Sequence, residues 1–161
     1  MSPAKRKVVV AAGALTVLAG WAVAACAAEA PPVRIKVLGI QATNEEKPHV
    51  DAELEPLKDS LARSGYNSFR VVAKQQRDVP GGATAEFPLV EGYALRVEPG
   101  ETDEKNVTLT LVWIRYEQDA RGRRVARVLQ RMPMTIRKGK FFVSGGWQLK
   151  EGVLIAAMSA E

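Results

Sequence analysis

An uncharged apolar run at residues 8–28 divides this chain into a leader and a folded part. Three basic residues at positions 5–7 precede the run, and small residues lie at its end. This order of basic start, apolar stretch and small residues is typical of an export signal. We therefore predict a signal peptide or lipoprotein leader at residues 1–28 and a single domain at residues 29–161.

The single cysteine, Cys26, lies where the apolar run ends. Residues 23–26, Val-Ala-Ala-Cys, match the bacterial lipobox, in which the thiol is acylated and cleavage leaves the cysteine as the new N-terminus. The same stretch also contains small-x-small cleavage sites of a plain secretory signal, and the run reaches about the 20 residues of an uncleaved anchor. We expect lipidation at Cys26 and an exported protein, periplasmic or anchored to the outer membrane, alternatively secreted.

Charge and composition limit the function classes. The formal charge of +5 falls to +2 without the basic residues at 5–7, since no acidic residue precedes Glu29. A mildly basic, exported domain is not expected to bind nucleic acid. Because no cysteine follows Cys26, the domain has no internal disulfide and its core alone must stabilise it.

A leucine stripe predicts one amphipathic helix at residues 51–64. Its members recur at intervals of three and four, and they are Leu54, Leu57 and Leu61. Asp51 is expected to cap the helix N-terminus. We expect the stripe to pack on the sheet that contains the strongest predicted strand, at residues 107–117.

The rest of the domain has the pattern of strands separated by glycine- and proline-containing turns. The predicted strands lie at residues 33–42, 66–74, 83–89, 92–97, 107–117, 125–136, 141–143 and 153–160. Short turns favour antiparallel pairing, and the last strand, apolar on both faces, is expected to be central. The predicted fold class is α+β: an N-terminal strand, one amphipathic helix, then a predominantly antiparallel β-meander forming a curved sheet or small sandwich.

Few residues of the domain suit catalysis. His49 is the only histidine, and no Gly-x-Ser-x-Gly motif is present. The adjacent carboxylates Glu45-Glu46 and Asp103-Glu104 lie in turns, where neighbouring side chains rarely converge on one ion. We therefore expect no catalytic residue, no metal and no cofactor. A polar cleft that gathers His49 with carboxylates would favour the alternative, a secreted hydrolase-like enzyme.

A basic segment at residues 121–140 is the strongest candidate for binding. It contains eight basic residues and no acidic one. On a regular strand Arg123, Arg127 and Arg131 share one face, where they would bind lipid phosphates or an acidic protein. The alternative is a solvated sheet face whose arginines pair with nearby glutamates.

Residues 138–160, KGKFFVSGGWQLKEGVLIAAMSA, resemble the end of a secretin-type domain. The resemblance consists of a glycine-containing turn, an apolar strand, a Gly-Gly pair and a closing apolar strand. As a whole, the sequence resembles short exported bacterial proteins of unassigned function, in which a leader, a helix and a β-meander recur. These resemblances imply no activity and assign no functional residue.

The function expected from these features is that of an exported cell-envelope accessory or binding protein. It would carry a lipid anchor if Cys26 is acylated. It would act by surface contact with an envelope protein or an anionic lipid. An open sheet edge or a flat face would favour this function over the enzyme.

Overall fold

Two four-stranded antiparallel sheets and one short helical segment form the fold. The structure, a computed structural model, describes residues 30–161. The predicted leader and Cys26 lie outside the described residues. Within this part of the chain, no helix combines the length and the apolar character needed to cross a membrane.

The strands agree closely with the predicted ones in number and order. They are β1 (Val33–Thr43), β2 (Ser68–Val79), β3 (Ala85–Pro88), β4 (Tyr93–Thr102), β5 (Asn106–Gln118), β6 (Arg124–Arg137), β7 (Phe142–Gln148) and β8 (Val153–Ala160). Sheet I has the order β2-β1-β8-β7 and sheet II the order β3-β4-β5-β6. The fold is thus mostly antiparallel β with a short helix, consistent with the predicted α+β class. The central position expected for β8 is confirmed, and all eight of its residues are buried.

One apolar cluster contains side chains from both sheets. Alternate residues of β5, from Val107 to Trp113, belong to it, as the period of two along a strand requires. From sheet I, β1 contributes Ile35 and Val37, and β8 contributes Leu154 and Met158. The fully buried indole of Trp113 donates its Nε1–H to Ser144 Oγ of β7 across 3.2 Å. The two sheets therefore share a core.

The helical segment is shorter than the predicted helix. A 3₁₀ helix occupies Ala52–Leu57, and α1 begins only afterwards and covers Lys58–Ala62. Pro56 lies inside the 3₁₀ helix, and proline disfavours the α conformation in the residue before it. The proline therefore explains why the α-helix starts late.

The leucine stripe is buried, but against a different sheet from the one expected. Leu54, Leu57 and Leu61 share a cluster with residues of β1, β2 and β8, among them Ile40 and Ile155. All these strands belong to sheet I, whereas the strand predicted at residues 107–117 is β5 of sheet II. The expectation that the stripe packs on the sheet of β5 is therefore wrong, because the core face of β5 is occupied by the cluster shared with sheet I.

Candidate functional site

The basic strand β6 lies at the edge of sheet II and contains a bulge. It is the longest strand, with 14 residues, and within residues 30–161 it pairs only with β5. Gln130 lies opposite Trp113, but the next β5 residue, Ile114, lies opposite Val128, so that Leu129 is an extra residue. An extra residue reverses the alternation of side chains on its two sides.

This bulge separates the three candidate arginines. Arg131 is paired in register with Val112, and Arg127 is paired with Arg115, which lies on the opposite face of sheet II. Arg123 precedes β6 and lies in the turn after β5. The expectation that the three arginines share one face is therefore wrong, because it assumed a strand without an extra residue.

Two of the three arginines bind carboxylates. Arg131 Nη2 donates to both carboxylate oxygens of Glu98, at 3.0 and 2.9 Å. Arg123 donates its Nε–H to Asp119 Oδ2 at 2.8 Å and its backbone N–H to Oδ1 at 2.9 Å. The backbone and side-chain hydrogen bonds from Arg123 lower the pKa of Asp119. Arg123 and Arg131 therefore correspond to the paired, solvated charges of the alternative hypothesis.

Arg127 has a different environment. It lies directly opposite Arg115, both side chains are exposed, and no ion pair of Arg127 forms within residues 30–161. Arg115 itself lies over the ring of Tyr93, 5.1 Å from its centroid, and 3.9 Å from a carboxylate oxygen of Glu117. Like charges directly opposite each other destabilise a strand pair. A bound anion at this position would relieve that repulsion.

Arg124 occupies the other face of the hairpin. Its guanidinium lies 3.9 Å from the centroid of the Tyr116 ring, and it forms no ion pair in the described part of the chain. The Tyr116 hydroxyl donates to Glu86 Oε1 at 2.5 Å, and Arg96 Nη2 donates to Glu86 Oε2 at 3.1 Å. The hydrogen bond to Glu86 raises the pKa of Tyr116. Glu86 thus holds the ring on which Arg124 lies.

Exposed valines accompany these two arginines. Val128 is 58% exposed and Val125 is 41% exposed, and among the described large apolar residues only Val72, at 36%, is also exposed. All residues from Arg124 to Val128 are exposed. We call residues 124–128, Arg-Val-Ala-Arg-Val, the tip segment of β6. It combines unpaired positive charge with exposed apolar surface.

The backbone of the tip segment is also open on one side. The Asp119 N–H donates to the Arg123 carbonyl at 2.9 Å, so the backbone groups of these two residues face each other at the end of the ladder. In an antiparallel ladder such pairs alternate with pairs that point their polar groups outward. The residues whose backbone N–H and C=O groups point away from β5 are therefore Arg124, Ala126 and Val128.

The only histidine lies along the free edge of β2. The Phe69 N–H donates to the His49 carbonyl, and the Asp51 N–H donates to the Phe69 carbonyl. Asp51 Oδ2 then accepts the Val71 N–H at 2.7 Å, and Asp51 Oδ1 lies 2.8 Å from His49 Nε2. The Val71 N–H, followed by His49, lowers the pKa of Asp51. Asp51 makes no cap hydrogen bond, so the expected helix cap is wrong.

His49 does meet a carboxylate, but its surroundings are those of a strand edge. Ser68 Oγ, which is buried, accepts the backbone N–H of His49 at 3.0 Å. Among residues 30–161, no hydroxyl or thiol bonds the imidazole, and no cluster of three potential metal ligands forms. The structure thus assigns His49 and Asp51 to covering the edge of β2.

The tip segment was missed by sequence reasoning, although the sequence holds a signal for it. Val128 and Leu129 are adjacent apolar residues that interrupt the alternation of the strand, which is typical of a bulge. The stacking of Arg124 on Tyr116 leaves no such signal, because it depends on the register of the hairpin. Comparison of the chain with protein-family models, with curated proteins and with solved structures found no match.

Proposed function

We propose that this protein is an exported cell-envelope accessory or binding protein that acts by surface contact with an anionic partner. The partner is a protein of the envelope or an anionic lipid surface. The leader pattern and the lipobox around Cys26 support export, with a lipid anchor if Cys26 is acylated. We further propose that the two sheets pack face to face as a small sandwich, which leaves β6 at an open side.

The observation that carries the contact function is the tip segment. Arg124 and Arg127 lie on opposite faces of β6, and neither has a carboxylate partner among residues 30–161. Guanidinium groups bind carboxylates and phosphates through two parallel hydrogen bonds. Arg123 and Arg131 keep a secondary role in this proposal, because a partner must compete with Asp119 and Glu98 for them.

The test compares two double variants of the protein purified in its processed form. Arg124→Gln/Arg127→Gln removes the charge of the tip segment. Lys47→Gln/Arg63→Gln removes two exposed basic residues that also form no ion pair within residues 30–161. The probes are poly-L-glutamate and vesicles with or without anionic lipid. A lipid anchor would insert into both kinds of vesicle, so only the difference between them reports the basic surface.

We expect the wild type to bind one anionic probe in a salt-sensitive manner. At about 1 kcal/mol for each basic residue, the tip variant should bind about 30-fold more weakly. The control variant should bind like the wild type. Equal weakening by both double variants would mean that net charge alone is responsible, and absence of binding to both probes would contradict the proposal.

A further inference from the structure

We infer that the tip segment of β6 accepts an extended, acidic segment of a partner protein as an added β-strand. This inference rests on the binding function proposed above and specifies its partner. Three backbone N–H and three C=O groups, those of Arg124, Ala126 and Val128, point away from β5. An extended peptide placed beside β6 would satisfy them and continue sheet II by one strand.

The other edges of the two sheets are less suited to such an addition. The start of β2 is covered by residues 49–51, its register with β1 shifts at Val72, and β3 has only four residues. In β7 a register shift follows Gly145, whose φ of 137° is not that of a regular strand. Bulges and short strands of this kind are the usual protection of sheet edges.

Within β6 itself, two features mark off the tip segment. The bulge at Leu129 interrupts pairing, and Pro133 has no N–H to offer a neighbour. Residues 124–128 are therefore a run of five exposed strand residues without an interruption. This length matches the five or six residues of an average strand.

The side chains of the tip segment select an acidic partner. Successive residues of an added strand point to opposite faces, where one face offers Arg127 and Arg115 and the other offers Arg124. Val125 and Val128 lie beside these arginines and would pack against apolar residues of the partner. A second copy of this chain would bring arginine against arginine, and charge complementarity therefore favours an acidic segment of a different protein.

Charged edge residues also serve simply to prevent association. That function does not require exposed apolar side chains, yet Val125 and Val128 are 41% and 58% exposed. Exposed valines between arginines are instead the composition of a surface that excludes water once a partner is bound.

The test uses a dye-labelled, end-blocked peptide, Glu-Val-Glu-Thr-Glu-Val-Glu, and fluorescence anisotropy with the processed protein. Ala126→Pro removes one outward N–H but no bond to β5. Thr135→Pro is the matched control, since residue 135 is two positions from Pro133 and outside the tip segment. A second control is the same peptide with all of its amides N-methylated, which keeps its charge and leaves the protein unchanged.

We expect the wild type and Thr135→Pro to bind the peptide with affinities within about twofold, since Thr135 lies outside the added strand. Ala126→Pro should bind at least about tenfold more weakly, the effect of one hydrogen bond of about 1.4 kcal/mol. The N-methylated peptide should not bind.

Equal binding by Ala126→Pro and the wild type, or binding of the N-methylated peptide, would overturn strand addition. If Arg124→Gln/Arg127→Gln still weakened binding in that case, the contact function would stand without it. If the wild type bound anionic vesicles but not the peptide, the tip segment would be assigned to lipid binding instead of strand addition.

Discussion

At the scale of single residues, Asp51 shows how a side chain takes a role that its local sequence does not indicate. Its position before the leucine stripe predicts a helix cap. Its carboxylate instead accepts the N–H of Val71, which is 20 positions away and becomes available only when residues 50 and 69 form a bridge. A long-range backbone donor of this kind has no signal in the local sequence.

The lowered pKa of Asp51 gives a stability prediction. A carboxylate whose folded-state pKa lies below its unfolded value of about 3.9 stabilises the fold above that pH, and the contribution is lost as the pH falls through the folded-state pKa. We expect the urea midpoint of the wild type to fall between pH 5 and pH 3. Asp51→Asn should show a smaller fall, measured by circular dichroism at both pH values.

The remaining fall in Asp51→Asn has other sources, because hydrogen bonds also lower the pKa of three further carboxylates. These are Glu53, Asp103 and Asp119. Identical pH dependence in the wild type and Asp51→Asn would contradict the assigned role of the Asp51–Val71 bond.

At the scale of elements, strand positions were predictable and interruptions of strands were not. β8 has the predicted bounds, because a continuous apolar run follows Gly152, and β6 differs by one residue at each end, because the turns that flank it contain Gly122 and Gly139. The bulge at Leu129 puts Arg127 on the opposite face from Arg131. The period of two residues used to predict their faces assumes a strand without an extra residue. The sequence therefore predicted the strand that contains Arg127 and Arg131, but not the faces on which they lie.

The contact of the leucine stripe with sheet I is testable with double-mutant cycles. Leu61 is fully buried, and Leu61→Ala should destabilise the protein by about 2–5 kcal/mol. Ile155→Val, in the same cluster, should couple to Leu61→Ala by more than about 0.5 kcal/mol, measured by urea denaturation. Leu111→Val, in the core shared by the sheets, should be additive with Leu61→Ala. Coupling of Leu61→Ala to Leu111→Val, with additivity toward Ile155→Val, would instead place the stripe on sheet II.

At the scale of the whole molecule, the proposed function joins two separate features, an export leader and an open, basic strand edge. The leader could be predicted from the sequence because its pattern is local. The open edge could not be predicted in this way, because which strand lacks a neighbour depends on the complete topology. For example, β1 at the start of the domain pairs with β8 at its end.

Processing of the leader has its own prediction. Intact-mass analysis of the exported protein should find an N-terminus at Cys26 that carries acyl groups, and Cys26→Ala should abolish lipid labelling. An unacylated mature N-terminus would indicate plain secretion. A retained leader would indicate an uncleaved anchor.

Amide hydrogen exchange is the best test of whether the tip segment binds an acidic segment through its open backbone edge. NMR exchange rates would be measured residue by residue, with and without the Glu-Val-Glu-Thr-Glu-Val-Glu peptide. We expect slower exchange at Arg124, Ala126 and Val128 when the peptide is bound. We expect little change at Val125 and Arg127, whose N–H groups already bond to β5. Unchanged exchange at the three outward amides in the presence of bound peptide would contradict strand addition.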